Sequence, residues 1–444
     1  YYIKDTICMK LSKFLSLLLS SILLVGCGGP NYNNTYDIDA PDPNATRVFA
    51  PGITEDDLSD SSSTDTDGTE SSTAETNTNE SSTADTGDTE PNTQPSDEVR
   101  IKFLAAGDNI IHENVFIDAK NRAGDGEDYN FYDMYVDIKD FVNTADLKFV
   151  NQETPLGGAE LGYSGYPNFN GPQEAGEALV DIGFNIVNIA TNHMLDKKEA
   201  GLIGSIDFWN SQPVTLLGGH YNKDDYENIR VIEQDGVKIA FISYTYGLNG
   251  MTLSASSELY IPLIDEAEIV RMVDKAETLA DMVFVVMHWG DENKFTASAE
   301  QKQLASAISA AGAAAIIGMH SHTVQPVEWI DNADGSRTLV IYSLGNLIST
   351  MLDNFNMVGG IVTFDIVKKD GVCSIENPIF NPTVTHYDKD RLNLQVYMLE
   401  DYTEELAASH GTSSWGTDKR FSLDIAKGFV TSTISPEFLP DFLK

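Results

Sequence analysis

Basic residues are scarce in this 444-residue chain, which has 28 Lys and Arg against 68 Asp and Glu. The resulting formal net charge of −40 repels a nucleic-acid backbone, so we expect no DNA or RNA partner. The same repulsion opposes an acidic polymer, unless a bound cation or a local basic patch intervenes. The charge balance therefore makes the binding of any anionic substrate dependent on such a cation or patch.

Cysteine is nearly absent, with only Cys8, Cys27 and Cys373 in the chain. The first two lie in the N-terminal signal-like region described below, so Cys373 has no partner and we expect no disulfide framework. A chain of this length can rely on a large hydrophobic core instead. Cys373 lies in the alternating stretch DGVCSIENP, which predicts an edge strand and a packing role for the thiol.

The N-terminal apolar run is too short to cross a membrane. It extends from Phe14 to Val25, whereas a spanning helix needs roughly 20 residues, which argues against the alternative of a short transmembrane anchor. Two lysines precede the run, and the sequence LVGC that closes it resembles the lipobox of bacterial lipoproteins. We therefore predict a lipoprotein signal in residues 1–27, starting at Met9 and lipidated at Cys27. This signal predicts a mature protein anchored by lipid to the extracytoplasmic face of the cell membrane.

Apolar side chains are almost missing from residues 28–98. The stretch STDTDGTESSTAETNTNESSTADTGDTEPNT is typical of this segment, which consists mainly of Ser, Thr, Asn, Asp and Glu. Such a segment cannot bury enough apolar surface to offset the entropy lost on ordering. We predict a disordered acidic linker that holds the following domain away from the membrane.

Short apolar runs alternate with helical patterns from Val99 onward. The runs are VRIKFLAAGD, ADLKFVNQETPLGG, FNIVNIATNHMLD, GVKIAFISYTYG, DMVFVVMHWGDE, AAAIIGMHSH and TLVIYSLGN. The stretches KKEAGLIGSIDFWNS and SAEQKQLASAISAAG have helical spacing, and Ser298 is the predicted N-cap of the second. Buried strands that alternate with helices predict an α/β domain with sheet strands covered on both faces. We place this domain at residues 99–388, followed by a C-terminal extension at 389–444 packed on the core.

Histidine is scarce, with eight residues in the chain, yet the apolar runs repeatedly end in His, Asp, Glu or Asn. These polar residues are Asp108, Asn151, Glu153, Asn192, His193, Asp196, His288, His320, His322 and Asn346. In GMHSHTVQPVEW the two histidines stand one residue apart, so within a strand their imidazoles would converge on one face. If the strand ends at Ile317 or Gly318, they lie on a loop at its carboxyl end, where open α/β sheets build their sites, and the alternative is two solvated loop histidines. Imidazoles, carboxylates and amide oxygens together are a ligand set for manganese, iron or zinc. Their repetition at several strand ends predicts a divalent metal site.

Six short motifs follow one another between Arg100 and Tyr387, namely GD, NQETPL, ATNHMLD, HWGDE, GMHSHTVQPVE and YSLGN. Their order resembles that of the CapA-type poly-γ-glutamate capsule synthesis proteins, which are similar to calcineurin-like metallophosphoesterases. The resemblance implies two packed mixed β-sheets flanked by helices, with the site across the carboxyl ends of the strands. It also implies one or two divalent metal ions as cofactors.

The resemblance assigns roles to individual residues as well. It implies that the metal ligands are Asp108, Glu153, Asn192, His288, His320 and His322. His193 would act on the substrate as a catalytic proton donor or charge stabiliser, and Asp196 would orient His193. His288 and His320 would complete the shell of one ion, while His322 would face the other position.

Two positions depart from the family pattern. Ile110 stands where the superfamily has a ligating histidine, which leaves one metal position poorer in ligands. His112 and Glu113 stand where many CapA-like sequences have glycine and arginine. His112 is therefore a candidate replacement ligand or polymer contact, the alternative being an exposed histidine at the start of a helix. Glu292 and Asn346 are further candidates for substrate contact.

The resemblance implies a surface-anchored lipoprotein that serves the synthesis or export of poly-γ-glutamate as a metal-dependent hydrolase or transferase. Two alternatives stay open at this point. The first is a non-catalytic export factor that binds the polymer or a membrane synthase complex, and the loss of the first-motif histidine favours it. The second is a general metallophosphodiesterase. The expected partners are the anionic polymer or the synthase complex, and the membrane through the lipid anchor.

Overall fold

The computed structural model of the chain describes residues 98–444. The predicted signal region 1–27 with its lipidation site Cys27, and the predicted linker up to residue 97, lie outside the described residues. Within 98–444, none of the helices combines the length and the apolar character that crossing a membrane requires.

Fourteen β-strands and eleven α-helices make up residues 98–444. The strands are β1 (Val99–Asn109), β2 (Leu147–Gln152), β3 (Ile186–Asn188), β4 (Thr215–Leu217), β5 (Arg230–Gln234), β6 (Val237–Thr245), β7 (Met282–His288), β8 (Ala315–Met319), β9 (Val327–Asp331), β10 (Arg337–Ile341), β11 (Asn346–Ile348), β12 (Val358–Lys369), β13 (Val372–His386) and β14 (Gln395–Met398). The helices are α1 (Glu113–Arg122), α2 (Tyr132–Tyr135), α3 (Lys139–Val142), α4 (Glu174–Ile182), α5 (Lys198–Ser211), α6 (Lys223–Glu227), α7 (Glu266–Glu277), α8 (Ala299–Ala310), α9 (Glu404–Ser409), α10 (Thr412–Trp415) and α11 (Leu423–Thr431).

The two helical patterns singled out in the sequence correspond to α5 and α8. Ser298 is the N-cap of α8, as predicted, because its hydroxyl accepts a hydrogen bond from the backbone N–H of Gln301. The side chain of Gln301 in turn accepts a hydrogen bond from the backbone N–H of Ser298. This reciprocal capping box satisfies two backbone donors that the start of a helix leaves unpaired.

The strands form two mixed sheets. The first has the order β14-β13-β12-β1-β2-β3-β4, and β11 pairs with the end of β1. In this sheet β1 to β4 run parallel, whereas β12, β13 and β14 pair antiparallel. The second sheet has the order β5-β6-β7-β8-β10-β9, with β6, β7, β8 and β10 parallel. Two mixed sheets with flanking helices are the predicted fold class, which the structure confirms.

The two sheets pack face to face through phenylalanine side chains. The ring centroid of Phe103 in β1 lies 5.2 Å from that of Phe284 in β7 and 4.8 Å from that of Phe364 in β12. Side chains of β7 alternate, so that Phe284 joins this core while Val283 and Val285 join a second core covered by α7 and α8. Because both faces of β7 are buried, its polar residue lies at the strand end.

The C-terminal segment 389–444 belongs to the same compact unit as the sheets. Phe429 of α11 stacks on Phe295 with the ring centroids 5.6 Å apart, and both rings belong to the main core. β14 pairs only with the last four residues of β13, so β13 is an edge strand at the half-buried Cys373, as the alternating pattern predicts. The segment therefore adds the last strand of the first sheet and part of its core.

One predicted strand end is wrong. The run TLVIYSLGN predicts a strand that ends at Asn346, but β10 ends at Ile341 and Asn346 begins β11. The pairing of β11 with β1 places Asn346 beside Asp108. This close approach requires glycine, because a Cβ on Gly107 would lie 2.0 Å from the carbonyl oxygen of Gly345. Asn346 thus reaches the site by strand pairing and not as a strand end.

Candidate metal centre

Polar residues at the ends of strands in both sheets meet at one site. Asp108 is the penultimate residue of β1, Glu153 follows β2, and His288 is the last residue of β7. Asn192 lies between β3 and α5, and the two histidines of the HxH pair follow β8. Parallel strands bring their carboxyl ends to the same edge of a sheet, which is where open α/β sheets bind ligands. Two sheets packed face to face therefore place two such edges together.

Asp108, Glu153, Asn192 and His288 form a buried group that we call the inner cluster. Potential ligand atoms of Asp108, Glu153 and His288 all lie within 4.8 Å of one another. The side-chain oxygen of Asn192 lies 2.9 Å from Nε2 of His288. All four side chains belong to residues that are at most 2% exposed. Two carboxylates buried at such close range require a compensating charge, because an ionised carboxylate away from water is costly.

Two asparagines hold the carboxylate of Asp108 in place. Asn151 donates a hydrogen bond to Oδ1 of Asp108 at 2.7 Å, and Asn188 donates to Oδ1 of Asn151 at 2.7 Å. The backbone N–H of His320 donates to Oδ2 of Asp108 at 3.2 Å. This last bond links the two sheets, since Asp108 lies in β1 and His320 follows β8. Asn151 therefore orients a candidate ligand.

His320 and His322 lie in the loop directly after β8, which ends at Met319. They are 3% and 6% exposed, so the alternative of two solvated loop histidines is wrong. Their φ angles are 96° and 56°, a left-handed conformation that residues other than glycine rarely adopt. Nδ1 of His322 lies 3.4 Å from Oδ2 of Asp108, and its Nε2 lies 3.7 Å from Oε1 of Glu153. The strained loop thus holds His322 against the inner cluster.

Glu292, His320 and His322 form a second group that we call the outer cluster. Their potential ligand atoms also lie within 4.8 Å of one another, and Glu292 is exposed while both histidines are buried. His320 lies between the clusters, with its ring centroid 4.8 Å from that of His288 and 5.8 Å from that of His322. The family resemblance suggested Glu292 only as a substrate contact, whereas the structure places its carboxylate beside two imidazoles.

His193 adjoins the inner cluster, with its Nε2 3.8 Å from Oε1 of Glu153. Its Nδ1 lies 2.7 Å from Oδ2 of Asp196, and the same oxygen accepts a hydrogen bond from the backbone N–H of Phe169 at 2.7 Å. The ring of Phe169 also packs edge-on against His193, with the centroids 4.8 Å apart. An ionised Asp196 accepts the Nδ1–H of the imidazole, which leaves Nε2 as the nitrogen that faces the cluster.

Burial and neighbouring charges shift the pKa values of the clustered groups. Burial raises the pKa of Glu153 well above its usual value, His322 opposes this shift and Asp108 adds to it. Burial lowers the pKa of His288 and of His320 well below the usual value, and nearby histidines lower it further. For His322, burial lowers the pKa, but Glu153 and Asp108 outweigh burial and raise it to about 10. The neutral imidazoles of His288 and His320 therefore retain lone pairs that can bind a metal.

Several buried polar atoms of the two clusters have no hydrogen-bond partner. They are Oε2 of Glu153, Nδ1 of His288 and Nδ1 of His320. An unpaired buried polar group costs about 1–3 kcal/mol, so the site is organised for a partner that the chain does not supply. Carboxylate oxygens, an amide oxygen and imidazole nitrogens are ligands of manganese, iron and zinc. The residues present therefore fit a divalent cation of this class.

His112 and Asn346 lie beside the clusters but belong to neither. His112 is 6% exposed, which contradicts the alternative of an exposed helix-start histidine, and its Nδ1 accepts a hydrogen bond from the N–H of Thr350 at 3.2 Å. Burial, together with the charge of Arg391, lowers the pKa of His112 to about 3. Asn346 is 1% exposed, and its Oδ1 lies 3.0 Å from Nδ1 of His322. Both residues thus contact protein groups, and a role in substrate binding stays a prediction.

Two residues after β6 join the site although the sequence analysis did not include them. Oδ1 of Asn249 accepts a hydrogen bond from Asn192 at 3.2 Å, and Nδ2 of Asn249 lies 3.4 Å from Nδ1 of His193. The ring centroid of Tyr246 lies 4.4 Å from that of His320, and Tyr246 is 44% exposed. Both residues lie in TYGLNG, just past the end of β6, so the strand-end criterion applied to the other runs would have found them.

Residues 102–351 match the sequence profile of a family described as "Bacterial capsule synthesis protein PGA_cap". The chain belongs to this family. It is 32% identical to the PGA biosynthesis protein CapA of Bacillus subtilis (strain 168) over 178 residues. These residues are 40% of this chain and 45% of that protein. It is 26% identical to the capsule biosynthesis protein CapA of Bacillus anthracis over 238 residues. These residues are 50% of this chain and 56% of that protein. The chain thus spans about half the length of these relatives.

This PGA_cap family member is also similar to solved structures. The calcineurin-like phosphoesterase YfkN from Bacillus subtilis matches with a TM-score of 0.40 at 14% identity, over 64% of this chain and 90% of that one. The NAD nucleotidase of Haemophilus influenzae matches with a TM-score of 0.41 at 12% identity, over 78% of this chain and 57% of that one. The family assignment rests on the sequence match, and the matched residues 102–351 include every residue of both clusters.

Proposed function

We propose that this PGA_cap family member is a metal-dependent hydrolase or transferase that acts on poly-γ-glutamate at the cell surface, in capsule synthesis or export. The observation that supports this proposal is the inner cluster, a buried group with two carboxylates and unpaired ligand atoms beside the His193–Asp196 pair. Packing alone does not account for such a group, because buried polar atoms are normally paired within the protein.

The inner cluster supplies the donors for a divalent cation. Asp108, Glu153, Asn192 and His288 would hold the ion, since their oxygen and nitrogen atoms converge in a buried space. Manganese, iron or zinc bound there supplies positive charge that polarises the scissile group and offsets the buried carboxylates. The net charge of −40 repels an anionic polymer, and the positive charge of the ion would offset this repulsion at the site by attracting the carboxylates of the polymer.

His193 is the residue that we assign to proton transfer. The Asp196 carboxylate holds Nδ1 at 2.7 Å, so the ring orientation is fixed and Nε2 faces the inner cluster. Because Asp196 holds the hydrogen on Nδ1, Nε2 can donate only from the doubly protonated ring. A leaving group that develops negative charge there would receive its proton from this imidazolium, which the Asp196 carboxylate stabilises. Asp196 acts through His193 and is a positioning residue. A proton-transfer group placed this way typically accelerates a reaction by about 10²–10⁴-fold.

A non-catalytic role in export is the second candidate function, and Ile110 favours it. This residue is 2% exposed and offers no ligand atom at the position where the superfamily has a histidine. Such a protein would bind poly-γ-glutamate or a membrane synthase complex without cleaving the polymer.

The proposed cell-surface location rests on the sequence around Cys27, where LVGC resembles a lipobox. To test this location, the unmodified chain and Cys27→Ser are each expressed in a bacterial host grown with labelled palmitate, and the label bound to each protein is measured. We expect label in the first protein and not in the second, whereas equal labelling of both would remove the support for lipid anchoring.

A degradation assay tests the main proposal. The purified full chain, supplied with Mn²⁺, is incubated with poly-γ-glutamate and, separately, with bis(p-nitrophenyl) phosphate. We expect the polymer to shorten, and we expect His193→Ala to reduce this activity by at least about 10²-fold. His386→Gln is a matched control, because His386 is also buried but hydrogen-bonds Tyr402 outside both clusters.

Each result of this assay favours one function. Polymer shortening that depends on His193 supports the hydrolase or transferase. Tight polymer binding without shortening supports the export factor instead. Turnover of the phosphodiester alone, abolished in His193→Ala, would assign the chain to general phosphodiesterases and would overturn the capsule proposal.

A further inference from the structure

We propose that the Nε2–H of His112 and the hydroxyl of Tyr166 bind carboxylate oxygens of poly-γ-glutamate beside the metal centre. Together with Phe169, whose ring contacts both residues, they form what we call the recognition surface. The proposal rests on the proposed function and deepens it, because it names side chains that would hold the polymer while His193 acts. Both groups donate a hydrogen bond without carrying a charge of their own.

One hydrogen bond determines which nitrogen of His112 carries the hydrogen. The backbone N–H of Thr350 donates to Nδ1 of His112 at 3.2 Å, so the hydrogen of the neutral ring is on Nε2. Burial, and then the charge of Arg391, lowers the pKa of His112 to about 3, and the nearby His322 and His193 lower it further. Among residues 98–444 no group accepts a hydrogen bond from Nε2. The contact with Thr350 therefore accounts for Nδ1 and leaves the Nε2–H to a ligand.

The ring of Phe169 joins His112 to the catalytic pair. Its centroid lies 5.4 Å from that of His112 and 4.8 Å from that of His193, and both contacts are edge-on. The backbone N–H of Phe169 donates to Oδ2 of Asp196, the same oxygen that contacts Nδ1 of His193. Asp196 therefore fixes the position of the recognition surface relative to the residue that we assign to proton transfer.

Tyr166 adds a second donor on the solvent side of this surface. Its ring centroid lies 6.1 Å from that of Phe169, and Tyr166 is 43% exposed whereas Phe169 is 2% exposed. Partial burial, together with the charges of Glu292 and Asp196, raises the pKa of the Tyr166 hydroxyl. The hydroxyl is therefore protonated, and it lies close to the exposed carboxylate of Glu292 at the rim of the metal centre.

Backbone contacts hold the loop 164–170, which carries the two aromatic rings of the surface. Ser164 and Asn170 exchange two backbone hydrogen bonds, of 3.1 and 3.0 Å, which close the loop. The loop also lies against the start of α1, where its close approach requires glycine. A Cβ on Gly165 would lie 2.8 Å from the backbone nitrogen of Glu113. The position of the loop is therefore set by the fold and not by one side-chain rotamer.

Uncharged donors suit a carboxylate ligand at this acidic site. The carboxylates of Asp196 and Glu292 lie near the recognition surface and would repel an anionic polymer. A carboxylate of the polymer accepts hydrogen bonds from N–H and O–H groups, and such bonds to a charged partner are stronger than bonds between neutral groups. His112 and Tyr166 would therefore offset part of the repulsion and orient the polymer beside His193.

Binding of a fluorescein-labelled poly-γ-glutamate oligomer tests the proposal without requiring turnover. Fluorescence anisotropy gives the Kd of the oligomer for the full chain in Mn²⁺. In His112→Asn the side-chain oxygen can replace Nδ1 as the acceptor for the N–H of Thr350, whereas the Nε2–H is lost. Tyr166→Phe removes only the hydroxyl. We expect each change to raise Kd by about 10-fold, because a hydrogen bond to a charged group is lost.

Two variants outside the recognition surface serve as matched controls. His386→Asn shortens another buried histidine, whose Nδ1 contacts the hydroxyl of Tyr402. Tyr221→Phe removes the hydroxyl of another exposed tyrosine, which donates to Asp207. Both controls should bind the oligomer as tightly as the unmodified chain does. Far-UV circular dichroism checks the folding of every variant, and the result for Tyr166→Phe stands even if His112→Asn does not fold.

The outcomes separate this proposal from the proposed function. A higher Kd in both variants, with both controls unchanged, supports the recognition surface. An unchanged Kd in either variant, or an equal increase in the controls, would overturn it and leave the metal centre and the polymer substrate intact. A lower content of bound manganese in His112→Asn would assign His112 to metal binding instead. If the unmodified chain binds no oligomer, both the polymer as substrate and the recognition surface are overturned.

Discussion

Histidine is the residue through which this chain builds its site, and none of its eight histidines is exposed. Four of them, His193, His288, His320 and His322, lie in or beside the two clusters. The remaining histidines are held by neutral hydrogen bonds or by packing, and burial lowers the pKa of each of them. Among the buried histidines His322 differs, because the carboxylates of Glu153 and Asp108 outweigh burial and raise its pKa, whereas burial lowers the pKa of His288 and His320 as well.

Asp196→Asn should lower the turnover of poly-γ-glutamate by about 10²–10⁴-fold. The amide oxygen can keep both contacts of Oδ2, with Nδ1 of His193 and with the N–H of Phe169, but it carries no negative charge to stabilise the protonated imidazole that donates from Nε2. A loss in kcat with unchanged KM and unchanged bound metal identifies Asp196 as the residue that positions His193. Asp291→Asn serves as the control for the loss of one acidic charge. Turnover of Asp196→Asn equal to that of the unmodified chain would show that Asp196 is structural only.

Secondary-structure elements determine where the functional side chains lie. The side chains of β7 and β8 alternate between two apolar cores, and the buried apolar residues of β1, β2 and β3 all belong to the main core. Polar side chains therefore gather where these five strands end. The C-terminal segment 389–444 extends beyond the residues that match the family profile, yet it supplies β14 and part of the main core. Its stability is therefore part of the stability of the first sheet.

His410 should make this segment sensitive to acid. Its Nε2 lies 2.9 Å from the carbonyl oxygen of Thr385 in β13, and its Nδ1 accepts a hydrogen bond from the N–H of Thr412 at 3.1 Å. Protonation would place a hydrogen on Nδ1, where it would face the N–H of Thr412. Burial lowers the pKa of His410 to about 3. In the unfolded chain the imidazole of His410 has a pKa of about 6.5 and binds a proton below that pH. In the folded chain the same imidazole binds this proton only when the pH is near 3. Stability from this residue is complete above pH 6.5 and decreases as the pH falls toward 3.

His410→Gln should therefore reduce the dependence of unfolding free energy on pH. The difference in slope between pH 6 and 4 should be at most about 1.4 kcal/mol per pH unit, the value for one proton. It will not abolish the slope, because His112, His220 and His386 are also buried with lowered pKa values. Urea unfolding at several pH values measures the effect. Above pH 7 the two proteins should show equal slopes, and parallel curves at acidic pH would contradict the prediction.

At the scale of the whole molecule, the site exists only while both sheets are packed together. The first sheet and its loops supply Asp108, Glu153 and Asn192, and the second supplies His288, Glu292, His320 and His322. A ligand that binds such a site stabilises the packed molecule, because the unfolded chain cannot present the same donors together. Binding of the proposed cation would therefore be coupled to folding.

Removal of the divalent cation should lower the stability of the full chain. At a free Mn²⁺ concentration of 100 times Kd, one bound ion raises the unfolding free energy by about 2.7 kcal/mol. Urea unfolding with Mn²⁺ and with an excess of chelator measures this difference. Asp108→Asn loses a buried ligand, and its single amide oxygen can accept only one of the two hydrogen bonds from Asn151 and from the N–H of His320. Its stability should therefore differ much less between Mn²⁺ and chelator than that of the unmodified chain. An unfolding midpoint that does not respond to chelator in the unmodified chain would falsify the coupling.

The sequence by itself determined the order of apolar runs, the helices α5 and α8 with the Ser298 cap, and the strand ends that bear His, Asp, Glu and Asn. These features are local, because side-chain periodicity and capping depend on neighbouring residues. The six ordered motifs likewise predicted the family and the two mixed sheets.

Only the tertiary structure decided which strand ends meet, because the contact between β1 and the loop after β8 joins residues 212 positions apart. It placed Asn346 at the start of β11, buried His112, and brought Tyr246 and Asn249 to the site. It also placed Glu292 beside His320 and His322, although no local pattern distinguishes Glu292 from Asp291. The physical reason is that ligand geometry depends on how two sheets pack, whereas periodicity records only which face of each element is buried.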